Sequence, residues 1–191
     1  MIMEGRKNFG AKGVITPLPV LIIGTYDENG TPDAMNAAWG GQCGPRHIMI
    51  HLSKHRTTDN IVLKKAFTVS FADAAHAVES DYFGLVSGNK VPDKIAKAGM
   101  HVVKSEFVDA PLIVEYPLTI ECKLSSFEDD GNGGIVIGEI VNLSASESVL
   151  DEKGNIDLGK VAPIIYDSTQ NYYRVVREVV GNAFKDGSAI K

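Results

Sequence analysis

The sequence predicts a mainly β (α+β) fold: an antiparallel β-barrel, closed or partly closed, with a few peripheral helices. Three features carry that expectation. Two long strand-like runs in the second half, PLTIECKLSSFEDD and GIVIGEIVNLSASES, are joined by the turn-rich DDGNGG and form a hairpin. A second hairpin opens the chain, where PVLIIGTY meets the turn Asp27-Glu28-Asn29-Gly30 and the chain returns toward Trp39. Segments with helical spacing are few and short.

In chain order, Val20 to Tyr26 is rich in β-branched residues and forms the first strand. Its partner runs back toward Trp39 and ends at Gly40-Gly41. HIMIHLS supplies a third strand, Asp59 to Lys65 has helical spacing, and AFTVSF returns to strand. AAHAVESDYFGLVSG lacks strand alternation and begins with good helix formers, so it is expected to be a helix ending in a Ser87-Gly88 turn. VPDKIAKAG is one more short helix, with Pro92 near its start and Gly99 after its end. In the long hairpin Thr119, Glu121 and Lys123 alternate with Leu118, Ile120, Cys122 and Leu124, the pattern of a half-buried strand. VAPIIYD is the expected last strand, and NYYRVVREVVGNAF a final helix. No repeat or linker interrupts the chain, so residues 1–191 are expected to form a single domain.

Composition narrows the function. With 44% hydrophobic and 23% charged residues, the 191-residue chain has the makings of an ordinary soluble core. A net charge of -5 argues against the broad basic surface that nucleic acids or anionic membranes require, so any anion site must be local. MIMEGRKNFG lacks a secretory apolar region, and runs such as PVLIIG are too short to span a bilayer. Cys43 and Cys122 are far apart and show no CxxC spacing, which fits free thiols in a reducing compartment. The expectation is a cytoplasmic protein with no nucleic-acid or membrane partner. Cys43 is expected to be a small buried thiol.

Three stretches carry candidate chemistry. In LSKHRTTDN, a strand ends and a helix begins amid Ser53, Arg56, Thr57 and Thr58. A helix N-terminus offers free N–H groups and partial positive charge, the hydroxyls add donors, and Arg56 adds a fork suited to phosphate oxygens. Taken alone, the stretch is explained as well by a threonine N-cap and a solvated arginine. In MNAAWGG, Asn36, Ala37, Ala38 and Trp39 combine an amide, small residues and the chain's single tryptophan, as would the wall of a planar-ligand site. An ordinary core tryptophan explains it as well. SGNKVPDK, with Ser87, Gly88, Asp93 and Lys94, is a turn followed by a proline-led helix start, or a lid over an anion or sugar-like chain. His51 and His55 straddle a strand end, which argues against a zinc pair, and no GxGxxG or P-loop pattern occurs. The Asp129-Asp130 pair is expected to be simply solvated.

These stretches, in this order, resemble the flavin reductase-like family with the FMN-binding split barrel, and within it the flavoredoxin branch. The likeness runs through PLPVLIIGTYDENGTPDAMNAAWGG, HLSKHRTTDNIVLKKAFTVSF and DYFGLVSGNKVPDKIAKAG to YYRVVREVVGNAF, about Thr16 to Phe184. Asp33 stands where such relatives often carry Asn, and ADAAHAVES replaces a more proline-containing stretch. The resemblance implies a homodimeric antiparallel split barrel holding FMN non-covalently near the dimer interface. Asn36 to Trp39 would lie along the flavin ring, with backbone near Ala37, Ala38 and Leu52 facing the ring or ribityl chain. Ser53, Arg56, Thr57 and Thr58 would hold the phosphate, and Ser87, Gly88, Asp93 and Lys94 would close the site from one side. It further implies NADH- or NADPH-dependent reduction of flavin or another acceptor, with no side chain committed as catalytic. The alternative is a flavoredoxin-like electron carrier reduced by a redox protein partner.

Overall fold

The structure, a computed structural model, describes residues 5–175 and 177–190. The first hairpin forms as the sequence predicts, from β2 (Leu21–Tyr26) and β3 (Pro32–Ala37), with β1 (Leu18–Pro19) just before it. Asp27 builds its turn by accepting the N–H groups of Asn29 and Thr31, while Gly30 takes the positive φ that the turn needs. Next come β4 (Gly40–Gly44), β5 (His47–Ser53), helix α1 (Arg56–Lys64) and β6 (Ala66–Phe71). Helices α2 (Ala77–Leu85) and α3 (Lys94–Lys97) precede the small pair β7 (Val102–Lys104) and β8 (Pro111–Ile113). The long hairpin is β9 (Leu118–Asp129) and β10 (Gly133–Ala145). A short α4 (Leu158–Val161), β11 (Ile164–Asp167) and β12 (Tyr172–Val175) follow.

Seven strands form one fully antiparallel sheet in the order β3-β2-β6-β9-β10-β5-β4. Leu21 and Ile23 of β2, Phe67 and Val69 of β6, Cys122 of β9 and Ile48, Ile50 and Leu52 of β5 all belong to one buried cluster. Strands that lie far apart in the ladder share that core only because the sheet curls on itself. The ladder still ends at β3 and β4 without closing, so this is a split barrel. The opposite face of β2 is buried too: Ile22, with Val20 just before the strand, packs with Ala34, Phe83 of α2 and Ile95 of α3. Burial on both faces explains the continuous apolar run VLII and places α2 and α3 against β3. A second sheet, β1-β11-β12, flanks the barrel.

Several sequence expectations are corrected. Gly40-Gly41 does not end the second arm but opens β4, which pairs with β5. Helix α1 begins at Arg56 rather than Asp59, and Lys65 ends it in the left-handed region. The expected final helix is instead a strand, with Tyr172–Val175 paired to Ile164–Asp167, and residues 177–184 are not helical. Val176 lies outside the described residues, as do residues 1–4 of the opening stretch. Tyrosine and valine favour strands, and β11 offers a ladder edge, which outweighs the helical spacing of NYYRVV. Thr119 and Glu121 are buried rather than solvent-facing. Glu121 accepts hydrogen bonds from the Ser105 hydroxyl and from Asn142 Nδ2 at 2.5 Å, which is how a carboxylate survives in the interior. Cys43 is exposed; burial pushes the Cys122 thiol up to about 12.

Candidate functional site

The ends of β3 and β5, the start of α1, the end of α2 and the β11–β12 hairpin converge around two neighbouring cavities. The larger, about 500 Å³, is lined by Asn36, Ala37, Ala38 and Trp39 on one side and Leu52 and Ser53 on another. The smaller, about 360 Å³, is lined by His55, Arg56, Thr57, Ser87, Gly88 and Lys94. Asn36, Met35, His55, Gly84 and Leu85 border both, so the two are halves of one cleft.

The larger half has small and aromatic walls. Ala37 and Ala38 leave the β3 backbone open to a flat group, and Asn36 is fixed by donating from Nδ2 to Ser80 O at 2.9 Å. Gly84 lets α2 approach, since a Cβ there would lie 3.3 Å from Asn36 Cβ. Trp39 is 63% exposed, so the core-tryptophan alternative fails. Its ring centroid lies 5.9 Å from that of His51, whose Nε2 sits 3.0 Å from Asp130 Oδ2. Asp130 is therefore not merely solvated: the Asn132 N–H and His51 hold its carboxyl below the usual range. On the far side, the Tyr166 and Tyr173 rings meet at a tilt of 54° with centroids 6.2 Å apart, and the Tyr173 hydroxyl donates to Asp81 Oδ1 at 2.7 Å. Burial and the neighbouring Asp81 push the Tyr173 phenol up to about 12.

The smaller half is polar. Helix α1 opens into it with His55 at the N-cap, and His55 makes no side-chain hydrogen bond to the first turn. Neither threonine is the cap. Thr57 donates to Asp33 Oδ2 at 2.8 Å, and Thr58 donates to Ser53 O at 2.9 Å. The first-turn N–H groups are thus left to an acceptor in the cavity. Arg56 is not a solvated residue either: it donates to Gly88 O at 2.6 Å and to Asp27 Oδ2 at 2.5 Å. Lys94 donates to Val86 O at 3.0 Å and pairs with Asp33 Oδ1 at 3.2 Å, both side chains being 3% exposed. These two cations clamp the loop between α2 and α3 over the cavity. A methyl group on Gly88 would overlap the Asp33 carboxylate.

Of the residues that the sequence singled out, Asn36, Ala37, Ala38, Trp39, Leu52 and Ser53 meet in the larger half, and Arg56, Thr57, Ser87, Gly88 and Lys94 in the smaller. Thr58 faces a different hollow beside Phe127 and Asp129. Asp93 points outward and pairs with Lys97 at 3.1 Å. Sequence reasoning missed Asp33, Asp81, Tyr166 and Tyr173 as parts of the cleft. For Tyr173 the available signal was the Tyr/Val-rich stretch read as helix, and for Tyr166 its place at the end of the expected strand VAPIIYD. Asp33 stood out only as a departure from the Asn of similar sequences and Asp81 not at all, because the partners of both are distant in sequence.

A family model, that of the flavin reductase-like domain, matches residues 14–174. The flavoredoxin of Desulfovibrio vulgaris (Miyazaki F) is 36% identical, with a TM-score of 0.90, and the match covers 95% of this chain and 99% of that one. The flavoredoxin from Methanosarcina acetivorans is 26% identical with a TM-score of 0.89, covering 97% and 99% of the two chains. An uncharacterized protein of Aeropyrum pernix is 28% identical over 78% of this chain, and the match spans only 56% of that longer relative.

Proposed function

The chain belongs to the flavin reductase-like domain family, and from that premise we propose that it binds FMN non-covalently and acts as an NAD(P)H-dependent oxidoreductase toward flavin or another acceptor. The observation that carries this reading is the two-part cleft. An open, small-residue backbone segment with aromatic neighbours adjoins a cavity headed by an uncapped helix N-terminus. That pairing suits a flat ring joined to a phosphate.

The donors present fit the group. The first-turn N–H groups of α1 would hold the phosphate, with Ser53 and Ser87 as neighbouring hydroxyls. Ala37 and Ala38 would face the ring, and Asn36 would present its amide oxygen, its nitrogen being engaged by Ser80. Arg56 and Lys94 would act mainly by fixing the loop that covers the phosphate end. When bound, FMN supplies the redox chemistry, taking electrons from a nicotinamide and passing them to an acceptor. The protein's share is to bind, orient and control the access of water, so no side chain need serve as base or nucleophile. Trp39 and Leu85, exposed at the rim, are where we place the contact with a second subunit in a homodimer.

The likeness to two flavoredoxins favours a second reading, an electron carrier reduced by a protein partner. Anaerobic mixing of the FMN-loaded protein with NADH or NADPH separates them. Bleaching of the flavin at a catalytically useful rate supports the reductase. Bleaching by dithionite but by neither nicotinamide supports the carrier.

A further inference from the structure

We propose that Asp33 limits how tightly the cleft holds a phosphate, by withholding the charge of Lys94 from the ligand; the inference rests on the FMN reading above. Asp33 and Lys94 both line the smaller cavity and are each 2% exposed. Lys94 Nζ lies 3.2 Å from Asp33 Oδ1, while the other carboxylate oxygen accepts the Thr57 hydroxyl at 2.8 Å. Gly88 rests on the same carboxylate without room for a Cβ. The pair is therefore fixed on every side and cannot swing apart to meet a ligand.

An ion pair this close presents almost no net charge to an anion beside it. Arg56 is neutralised in the same way by Asp27. Among the described residues Lys54 is the one cationic side chain lining this cavity that makes no ion pair. Helix-end N–H groups and one exposed-side lysine thus carry the attraction, although three basic side chains line the cavity. A purely structural latch could have used a neutral pair. A buried carboxylate against a buried ammonium, both on the wall of an anion cavity, subtracts one charge from the ligand's view.

Neutralising Asp33 should therefore strengthen phosphate binding specifically. Asp33→Asn keeps the shape, with the amide oxygen toward Lys94 and the amide nitrogen donating to the Thr57 hydroxyl, but leaves the Lys94 charge uncompensated beside the cavity. The full chain is titrated in parallel with FMN and with riboflavin, which has the ring and ribityl chain but no phosphate. The ratio of the two dissociation constants is the readout, because it cancels general damage to the cleft. We expect Asp33→Asn to raise the preference for FMN by about tenfold, as for one weakly screened charge near a phosphate. Lys94→Met should lower it, and the double variant should return it to the wild-type value even if Asp33→Asn alone folds poorly. An unchanged or reduced preference in Asp33→Asn, or a double variant no different from Lys94→Met, would overturn the proposal. A wild-type protein that binds FMN no better than riboflavin would instead overturn the phosphate placement beneath it.

Discussion

Arg56 offers the sharpest test of how the cleft is built. Its guanidinium reaches the β2–β3 turn through Asp27 and the α2–α3 loop through Gly88 O, at 2.5 and 2.6 Å. Both side chains of the ion pair are 15% exposed, so neither end is freely solvated. Hydrogen bonds to charged groups are worth about 1.5–3 kcal/mol each. Asp27 keeps the N–H groups of Asn29 and Thr31 when Arg56 is lost, and water can enter, so the two bonds together contribute roughly half their nominal sum. Arg56→Ala should destabilise the protein by about 1.5–3 kcal/mol, which at this chain length lowers Tm by about 3–12 °C. Arg56→Lys should recover only part of that, because a point-like ammonium cannot span both acceptors. The pH dependence has a definite sign. Burial pushes the Asp27 carboxyl up, but the bonds from Thr31, Arg56 and Asn29 outweigh it and hold the carboxyl below its usual value. A depressed carboxylate stabilises above its unfolded pKa and loses that contribution as pH falls through the folded value. The gap between wild type and Arg56→Ala, read by differential scanning fluorimetry, should be full at pH 7 and shrink below about pH 4. The bond to Gly88 O survives in acid, so part of the gap remains there; equal Tm values at pH 7, or a gap of undiminished size in acid, would refute the clamp.

Three further outcomes are expected. Gly88→Ala should lower stability by about 1–3 kcal/mol through overlap with Asp33, measurable by urea unfolding, whereas Gly41→Ala, which meets no neighbouring atom within 4 Å, should not. Trp39 emission should be quenched when FMN binds, and full emission in a loaded protein would remove the ring from residues 36–39. In a spectrophotometric titration, wild type minus Tyr173→Phe should show a tyrosine step near 12, and a step near the ordinary value would mean that the Tyr173–Asp81 bond is absent in solution.

Much of the barrel was legible because its signals are local. Asp27 and Gly30 mark a turn by their own chemistry, and the alternation in β9 and β10 marks a hairpin. β4 was not legible: GGQCG has no strand propensity, and only the neighbouring β5 ladder makes it a strand. The final helix failed for the same reason in reverse, since β11 decides the conformation of Tyr172–Val175. At the site, the sequence located Arg56, Thr57 and Lys94 but not what they do. Their partners Asp27, Gly88 and Asp33 are brought to them by the first hairpin and the α2–α3 loop. Cations that look free in the sequence are spent in the fold on holding the loop, and the uncapped start of α1 becomes visible only once Thr57 and Thr58 are seen bonded elsewhere.

We place FMN in the two-part cleft. The most direct measurement is the visible absorption spectrum of the protein after incubation with FMN and passage through gel filtration, with the retained flavin counted per chain. One FMN per chain is expected, with a ring spectrum perturbed from that of free FMN. A protein that emerges colourless, with no flavin co-eluting even when FMN is present in the column buffer, would contradict it.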